Sequence, residues 1–269
     1  MKRILVYRDA FGIGDWIMTL SVMKMLLRCY PDTLLDINLS GKSGVAPKLI
    51  VAIVQNFDVC FNRIFCTSNF KAVKENYDVI TGHVIYDRRT KDNLMSSMVD
   101  TLNRKTGLHV KYISGLYSRY IGPVTFIDVP KKFILMPSCG KDDRVSRHKN
   151  WGFENFNELA RLLKQYGYNV VQIGAFTDRK LRYADKCYLD LSLSKLHFLM
   201  LNCSFFVGLV NGLSVYAGHH SVKTYLLHYN NRLNFATTKY PNQESLDVTE
   251  LTPSFVLKFV LEKESVKHL

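Results

Sequence analysis

RILVYRDAFGIGDWIMTLSVMKMLLRCY, residues 3–30, passes from an apolar run through two glycines into a helical pattern. Residues 3–7 have the length and composition of a buried strand. From Asp15 to Tyr30 apolar residues recur at helical spacing until Pro31 stops them. Strand, glycine turn, helix is the opening unit of a doubly wound α/β sheet. Asp15 has two readings at this junction. As a cap, its oxygens accept hydrogen bonds from free backbone N–H groups at the helix start. As a base, it stands at the mouth of a cleft.

The same alternation continues along the chain. Strands are predicted at 34–39 and 77–86, helices at 46–57 and 91–108, the latter ended by Gly107. SRYIGPVTFIDVPKK, residues 118–132, carries two prolines and a glycine without a long period and reads as a linker. The pattern then restarts. Strands are predicted at 132–137, 168–174, 204–210 and 223–229, with helices at 153–167, 192–203 and 252–265 and a small-residue helix after Gly212. The expected organisation is therefore two doubly wound parallel sheets, residues 1–122 and 131–269, with a ligand where their strand ends face each other.

Composition narrows the class. Of 269 residues, 47% are hydrophobic and 22% charged, enough for a substantial core. No apolar run approaches the ~20 residues of a membrane span, and the N-terminus lacks the apolar stretch of a secretory signal. A soluble, cytoplasmic protein is expected. Six cysteines without a C-x-x-C pair read as reduced, mostly buried thiols, and no zinc site is expected. Lys and Arg number 36 against 23 acids, a net charge of +13. That exceeds the magnitude of about 2–8 that solubility asks of a small domain, and it points to a polyanionic partner.

Three segments can carry chemistry. GIGDWI is not a dinucleotide fingerprint, because Ile17 stands where the third glycine belongs. Arg144, Arg147, His148 and Lys149 lie between a strand and the helix that follows Trp151, a placement that suits a diphosphate or a solvated basic loop. Asn211-Gly212 links a strand to a helix, and the N–H groups of Gly212, Leu213 and Ser214 are candidates for holding phosphate. No D-x-D metal motif is evident, and Asp142-Asp143 reads as a polar turn.

Together the three segments resemble the ADP-heptose lipopolysaccharide heptosyltransferases (glycosyltransferase family 9), inverting enzymes of the GT-B fold with two Rossmann-like domains. The resemblance lies in ILVYRDAFGIGDWIMTLSVMKML, HKNWGFENFNELARLLKQYGYNVVQIG and FFVGLVNGLSVYAG, about a third of the chain. The family has Gly-Asp opening a helix, then Lys-x-Trp-Pro, then Asp-Thr-Gly-x-x-His. The resemblance implies Asp15 as general base and Lys149 as the donor-phosphate lysine, helped by Arg147, Ser138, Asn211, Gly212 and Leu213. Asp178 falls near the family's acidic ribose contact. Arg8, Gly14, Arg88 and Arg89 lie on the implied acceptor side. A nucleotide-diphosphate sugar is the implied co-substrate, with cationic side chains in place of a metal. Gly152 replaces the proline, Val210-Asn211-Gly212 replaces Asp-Thr-Gly, and Val215 replaces the histidine. These departures imply a diverged relative that keeps the donor chemistry and changes the acceptor.

Many of the basic residues, among them Lys48, Arg63, Arg104, Lys105, Lys111 and Arg119, lie in the N-terminal half, the acceptor side of GT-B enzymes. Phage enzymes that glycosylate hydroxymethylated DNA bases share this broad fold. The expected acceptor is therefore a hydroxymethylated base, 5-hydroxymethylcytosine, in phage DNA, flipped out of the duplex. Tyr86, Tyr112, Tyr117 and Tyr120 are candidate stacking groups, with core packing as the commoner role for such residues. Lipopolysaccharide core is the alternative acceptor, and a non-catalytic nucleic-acid-binding protein the alternative class.

Overall fold

In the computed structural model the apolar run 3–7 becomes the strand from which the first sheet grows in both directions. The structure describes residues 2–7, 12–41, 44–45, 47–67, 76–81, 93–130, 133–137, 151–228 and 240–265. The chain divides into two compact units with a boundary between Gly122 and Pro123.

The first unit contains β1 (Arg3–Tyr7), α1 (Ile13–Cys29), β2 (Leu34–Asn38), β3 (Ser40–Gly41), β4 (Gly44–Val45), α2 (Lys48–Asn56), β5 (Arg63–Phe65), β6 (Val79–Ile80) and α3 (Leu94–Thr106). Its main sheet has the order β5-β2-β1-β6 and is parallel throughout, while β3 and β4 form a separate antiparallel pair. Ile4, Leu5 and Val6 are fully buried because β1 has a strand on each side and cover on both faces. α1 is buried around most of its circumference, from Gly14 through Leu26, and packs between α2 and α3. α3 begins at Asn93, whose side chain accepts from the Met95 N–H at 2.9 Å. It ends at Gly107, where φ is +67° and the N–H returns to the Asn103 carbonyl, a left-handed cap that favours glycine.

Asp58 ties this unit together. Its carboxylate accepts from Lys24 Nζ at 2.6 Å, from Ser118 Oγ at 3.0 Å and from the Arg119 N–H at 2.7 Å. Burial pushes this carboxyl up, and the three donors with the lysine charge bring it below its ordinary value.

The second unit contains β7 (Phe133–Pro137), α4 (Phe153–Gln165), β8 (Asn169–Gly174), β9 (Lys186–Leu189), α5 (Leu193–Asn202), β10 (Phe205–Leu209), α6 (Gly212–His219), β11 (Thr224–His228), β12 (Gln243–Asp247) and α7 (Pro253–Ser265). The strand order is β12-β11-β10-β7-β8-β9, again all parallel. The crossover from β7 to β8 runs one way along the sheet and that from β10 to β11 the other. Right-handed connections then place α4 and α6 on opposite faces. Phe156, Leu159, Leu163, Val256 and Val260 of α4 and α7 pack on Ile134, Phe205, Val207, Tyr225 and Leu227.

Both units are doubly wound α/β sheets, as the alternation predicts. Five strands had no counterpart in the sequence pattern: β5, β9 and β12 of the main sheets and the short pair β3 and β4. Of the strand expected at 77–86, Val79–Ile80 forms, and residues from 82 onward lie outside the described residues. The cysteines require a correction. Cys60 and Cys66 are exposed and Cys29, Cys187 and Cys203 half-buried; Cys139 lies outside the described residues. Residues 123–130, expected as linker, lie along the second unit: Thr125 Oγ1 donates to Ser194 Oγ at 3.0 Å and the Phe126 ring meets Phe198 edge-on at 5.3 Å. Among the described residues no helix is long and apolar enough to cross a membrane.

Asp58→Ala is expected to destabilise the first unit by about 2 kcal/mol, the scale of hydrogen bonds to a charged group. Because the folded carboxyl lies below its unfolded value, this contribution is present above the unfolded value and lost as pH falls through the folded one. Denaturant unfolding of wild type and variant at pH 7 and pH 3 should therefore give a difference that shrinks at the lower pH.

Candidate active site

In an open parallel sheet, ligands bind outside the carboxyl ends of the strands where the strand order reverses. In the second unit that point lies between β7 and β10. β10 leads into Asn211-Gly212 and α6, and β7 leads into Ser138 and the segment holding Arg147 and Lys149. Ser138, Arg147 and Lys149 lie outside the described residues, as do Arg8, Arg88, Arg89, Tyr86 and Asp142-Asp143.

The head of α6 differs from expectation in one respect. Asn211 is the N-cap, and its Oδ1 accepts from the N–H groups of Leu213 at 2.9 Å and Ser214 at 3.1 Å. Ser214 Oγ in turn accepts from the Asn211 N–H at 3.1 Å, completing a reciprocal capping box. The N–H groups of Leu213 and Ser214 are therefore taken by the protein itself, which corrects the expectation that Leu213 offers its N–H to phosphate. The cap does not engage the Gly212 N–H.

Asp178 follows β8, the strand beside β7. Its Oδ2 accepts from the Ala175 N–H at 2.7 Å, and its own N–H donates to the Ala175 carbonyl at 3.0 Å. The carboxylate lies so close to Gly174 that a Cβ there would fall 2.3 Å from Oδ2. The buried Gln172 holds the following residues, donating to the Arg179 carbonyl at 2.7 Å and accepting from the Leu181 N–H at 2.8 Å. The turn at 175–181 is thus fixed from below.

In the first unit the strand order reverses between β1 and β6. Asp15 lies in the first turn of α1, half-buried, after the buried Gly14 and three residues beyond the N-cap Gly12. Its carboxylate turns back over Gly12, where an added Cβ would fall 2.7 Å from Oδ2. A negative charge there is favoured by the helix dipole, and the position is also at the carboxyl end of β1. The N-cap is Gly12, which corrects the expectation of Asp15 as cap: Asp15 acts on the helix start through its charge, from the same place that a base would occupy.

Trp151 is a structural anchor, 5% exposed, with Nε1 donating to the Leu251 carbonyl at 3.2 Å and the ring edge-on to Phe156 at 5.3 Å. Tyr117 and Tyr120 are each 7% exposed, so core packing replaces the stacking role considered for them. Tyr112 is half-buried, and burial raises all three phenols above their ordinary value. Lys48, Arg63, Arg104, Lys105, Lys111 and Arg119 are exposed. Among the described residues no three His, Cys, Asp or Glu side chains are grouped to hold a metal ion.

No protein-family model matches the chain, and no curated protein matches it in sequence. Solved structures do. The Escherichia coli ADP-heptose lps heptosyltransferase II superposes with a TM-score of 0.70 at 15% identity, over 98% of this chain and 100% of that one. A glycosyl transferase family 9 protein from Veillonella parvula gives 0.72 at 11% identity, over 97% and 96%. The E. coli heptosyltransferase WaaC with ADP gives 0.66 at 12%, over 97% and 99%. The fold is GT-B.

Two departures from the heptosyltransferase pattern now have physical accounts within the GT-B frame. Gly152 has φ +98°, which proline cannot adopt, so the entry to α4 follows a path that excludes the family's Lys-x-Trp-Pro. Asn211 in place of threonine keeps a strong N-cap residue. Nothing in the structure explains Val210 in place of aspartate. The sequence reading missed Gln172, a buried polar residue inside an apolar strand pattern, and His228, which ends another.

Asn211→Ala removes the cap of α6 and is expected to lower stability by about 1 kcal/mol. Chemical denaturation checks this, with Asn211→Asp, which can still cap, retaining most of it.

Proposed function

We propose that the chain is an inverting glycosyltransferase that moves a sugar from a nucleotide-diphosphate sugar to a hydroxyl acceptor. The supporting observation is Asp15: in a GT-B chain, a carboxylate is held over Gly12 at the carboxyl end of the first strand. The acceptor oxygen attacks the anomeric carbon while Asp15 takes its proton. The bond from that carbon to the diphosphate oxygen breaks, and attack opposite the leaving group inverts the centre. Lys149, Arg147, Ser138 and the Gly212 N–H receive the charge of the departing diphosphate, and Asp178 takes the ribose. Cationic side chains do this without a metal. Arg8, Gly14, Arg88 and Arg89 line the acceptor side.

For the acceptor we propose a hydroxymethylated base in DNA, on the strength of the +13 charge and the exposed basic residues of the first unit. A second reading, a phosphorylated lipopolysaccharide core, is favoured by the likeness to heptosyltransferases and by the burial of Tyr117 and Tyr120. Mass spectrometry separates them. Incubation with a panel of nucleotide sugars should add a sugar mass to hydroxymethylated duplex DNA in the first case and to truncated core oligosaccharide in the second. A non-catalytic binding protein would modify neither.

Asp15→Asn should bind donor normally and lose ~10²–10⁴ in turnover, the contribution of a general base. Gly12→Ala pushes on the Asp15 carboxylate and should lower kcat while leaving nucleotide affinity unchanged. Steady-state kinetics of the two variants check both outcomes, and near-wild-type turnover in Asp15→Asn would leave that residue only its place in the first turn of α1. Duplex DNA binding should weaken with salt at a log–log slope of about −0.9 per phosphate contacted. Negligible binding at about 50 mM salt, where phosphate contacts are still strong, removes the DNA reading.

A further inference from the structure

The carboxyl end of the second sheet carries an ionisable pair that has no part in the mechanism above. His228 ends β11 and Asp247 ends β12, and the two are register partners. His228 Nδ1 lies 3.9 Å from Asp247 Oδ2, too far for a hydrogen bond. The imidazole is 8% exposed, and its buried Nδ1 has no hydrogen-bond partner. The carboxylate is held in place, with Oδ1 accepting from the Thr249 N–H at 2.9 Å and from Thr249 Oγ1.

Strand alternation fixes the side on which the pair stands. Tyr225 and Leu227 belong to the core under α4 and α7. His228, the next residue, therefore projects from the opposite face, the one that carries α6. Leu209 of β10 pairs with Leu227, so His228 is level with Val210. Neighbouring strands are about 4.8 Å apart, which puts the imidazole one strand from the Asn211-Gly212 turn.

We propose that His228, faced by Asp247, is a proton-linked contact for the nucleoside diphosphate at the head of α6; this rests on the donor reading above. One proton is taken from solvent as the diphosphate arrives. The imidazolium then keeps Nδ1–H toward Asp247 and donates Nε2–H to a phosphate oxygen. Burial holds the free imidazole below its ordinary value while Asp247 pulls it up, so an arriving anion has a neutral ring to protonate. Among the described residues, Asp247 is the charged group that faces it. β10 and the first turn of α6 contribute no ionisable side chain. Glu244 is level with Tyr225, and Glu250 is exposed in the chain beyond β12. His219 and His220 lie at the far end of α6.

The test is calorimetric titration with ADP, GDP, CDP and UDP at pH 7, in two buffers of different ionisation enthalpy, for wild type and His228→Gln. Wild type should take up close to one proton more than the variant. Its affinity should also rise relative to the variant's as pH falls from 8 to 6, by at most tenfold per pH unit for one linked proton. The nucleotide's own titration is common to both proteins and cancels. Equal proton counts in two binding-competent proteins overturn the inference and leave the donor reading intact. Absence of nucleotide binding in wild type overturns both. Should His228→Gln not fold, the wild-type count decides: no uptake beyond that of the nucleotide's own phosphate overturns the proposal.

Discussion

A parallel strand with a neighbour on each side has its backbone edges occupied and its faces covered, so only its ends remain for a ligand. In this chain that constraint falls on β1 and β7. Both are apolar runs that became the strand beside which the order of their sheet reverses. At that point the crossovers diverge to opposite faces and open a crevice at the carboxyl ends. Asp15 and the cap of α6 take their importance from lying at these two places. The same residues at the amino ends would only cap helices.

The interior of each sheet was legible because a strand buried on both faces must be apolar along its length. RILVY and FFVGL have that character. The main-sheet strands with no signal, β5 (RIF), β9 (KCYL) and β12 (QESLD), are all sheet edges. An edge strand is half solvated and often carries charge that discourages further pairing, so neither an apolar run nor a clean alternation is required of it. The site was legible in part for a similar reason. Gly12 and Asp15 stand in the sequence as a recognisable turn and acid. The consumption of the Leu213 and Ser214 N–H groups by Asn211 depends on a side-chain rotamer, which no residue pattern encodes. His228 could not be found either, because a histidine at the end of an apolar strand looks like any solvated strand end until its neighbour in β12 is known.

Several features at these carboxyl ends are held before any ligand arrives. Gly174 admits the Asp178 carboxylate, Gln172 clamps the backbone on both sides of Lys180, and the capping box fixes the first turn of α6. Each uses a short-range partner, so ordering them is part of folding and is not charged against binding. Asn211 is also a neutral cap. It satisfies two N–H groups without placing a negative charge at the head of α6, as an aspartate would.

The indole of Trp151 donates to a carbonyl one hundred residues later in the chain, at Leu251. A ribosome adding about 5–20 residues per second would deliver that acceptor some 5–20 s after the tryptophan. The basic segment just before Trp151 therefore emerges long before its anchor can be set. A nascent chain would hold β7 through β11 and still lack this bond, so the second unit gains it only after β12 has been made.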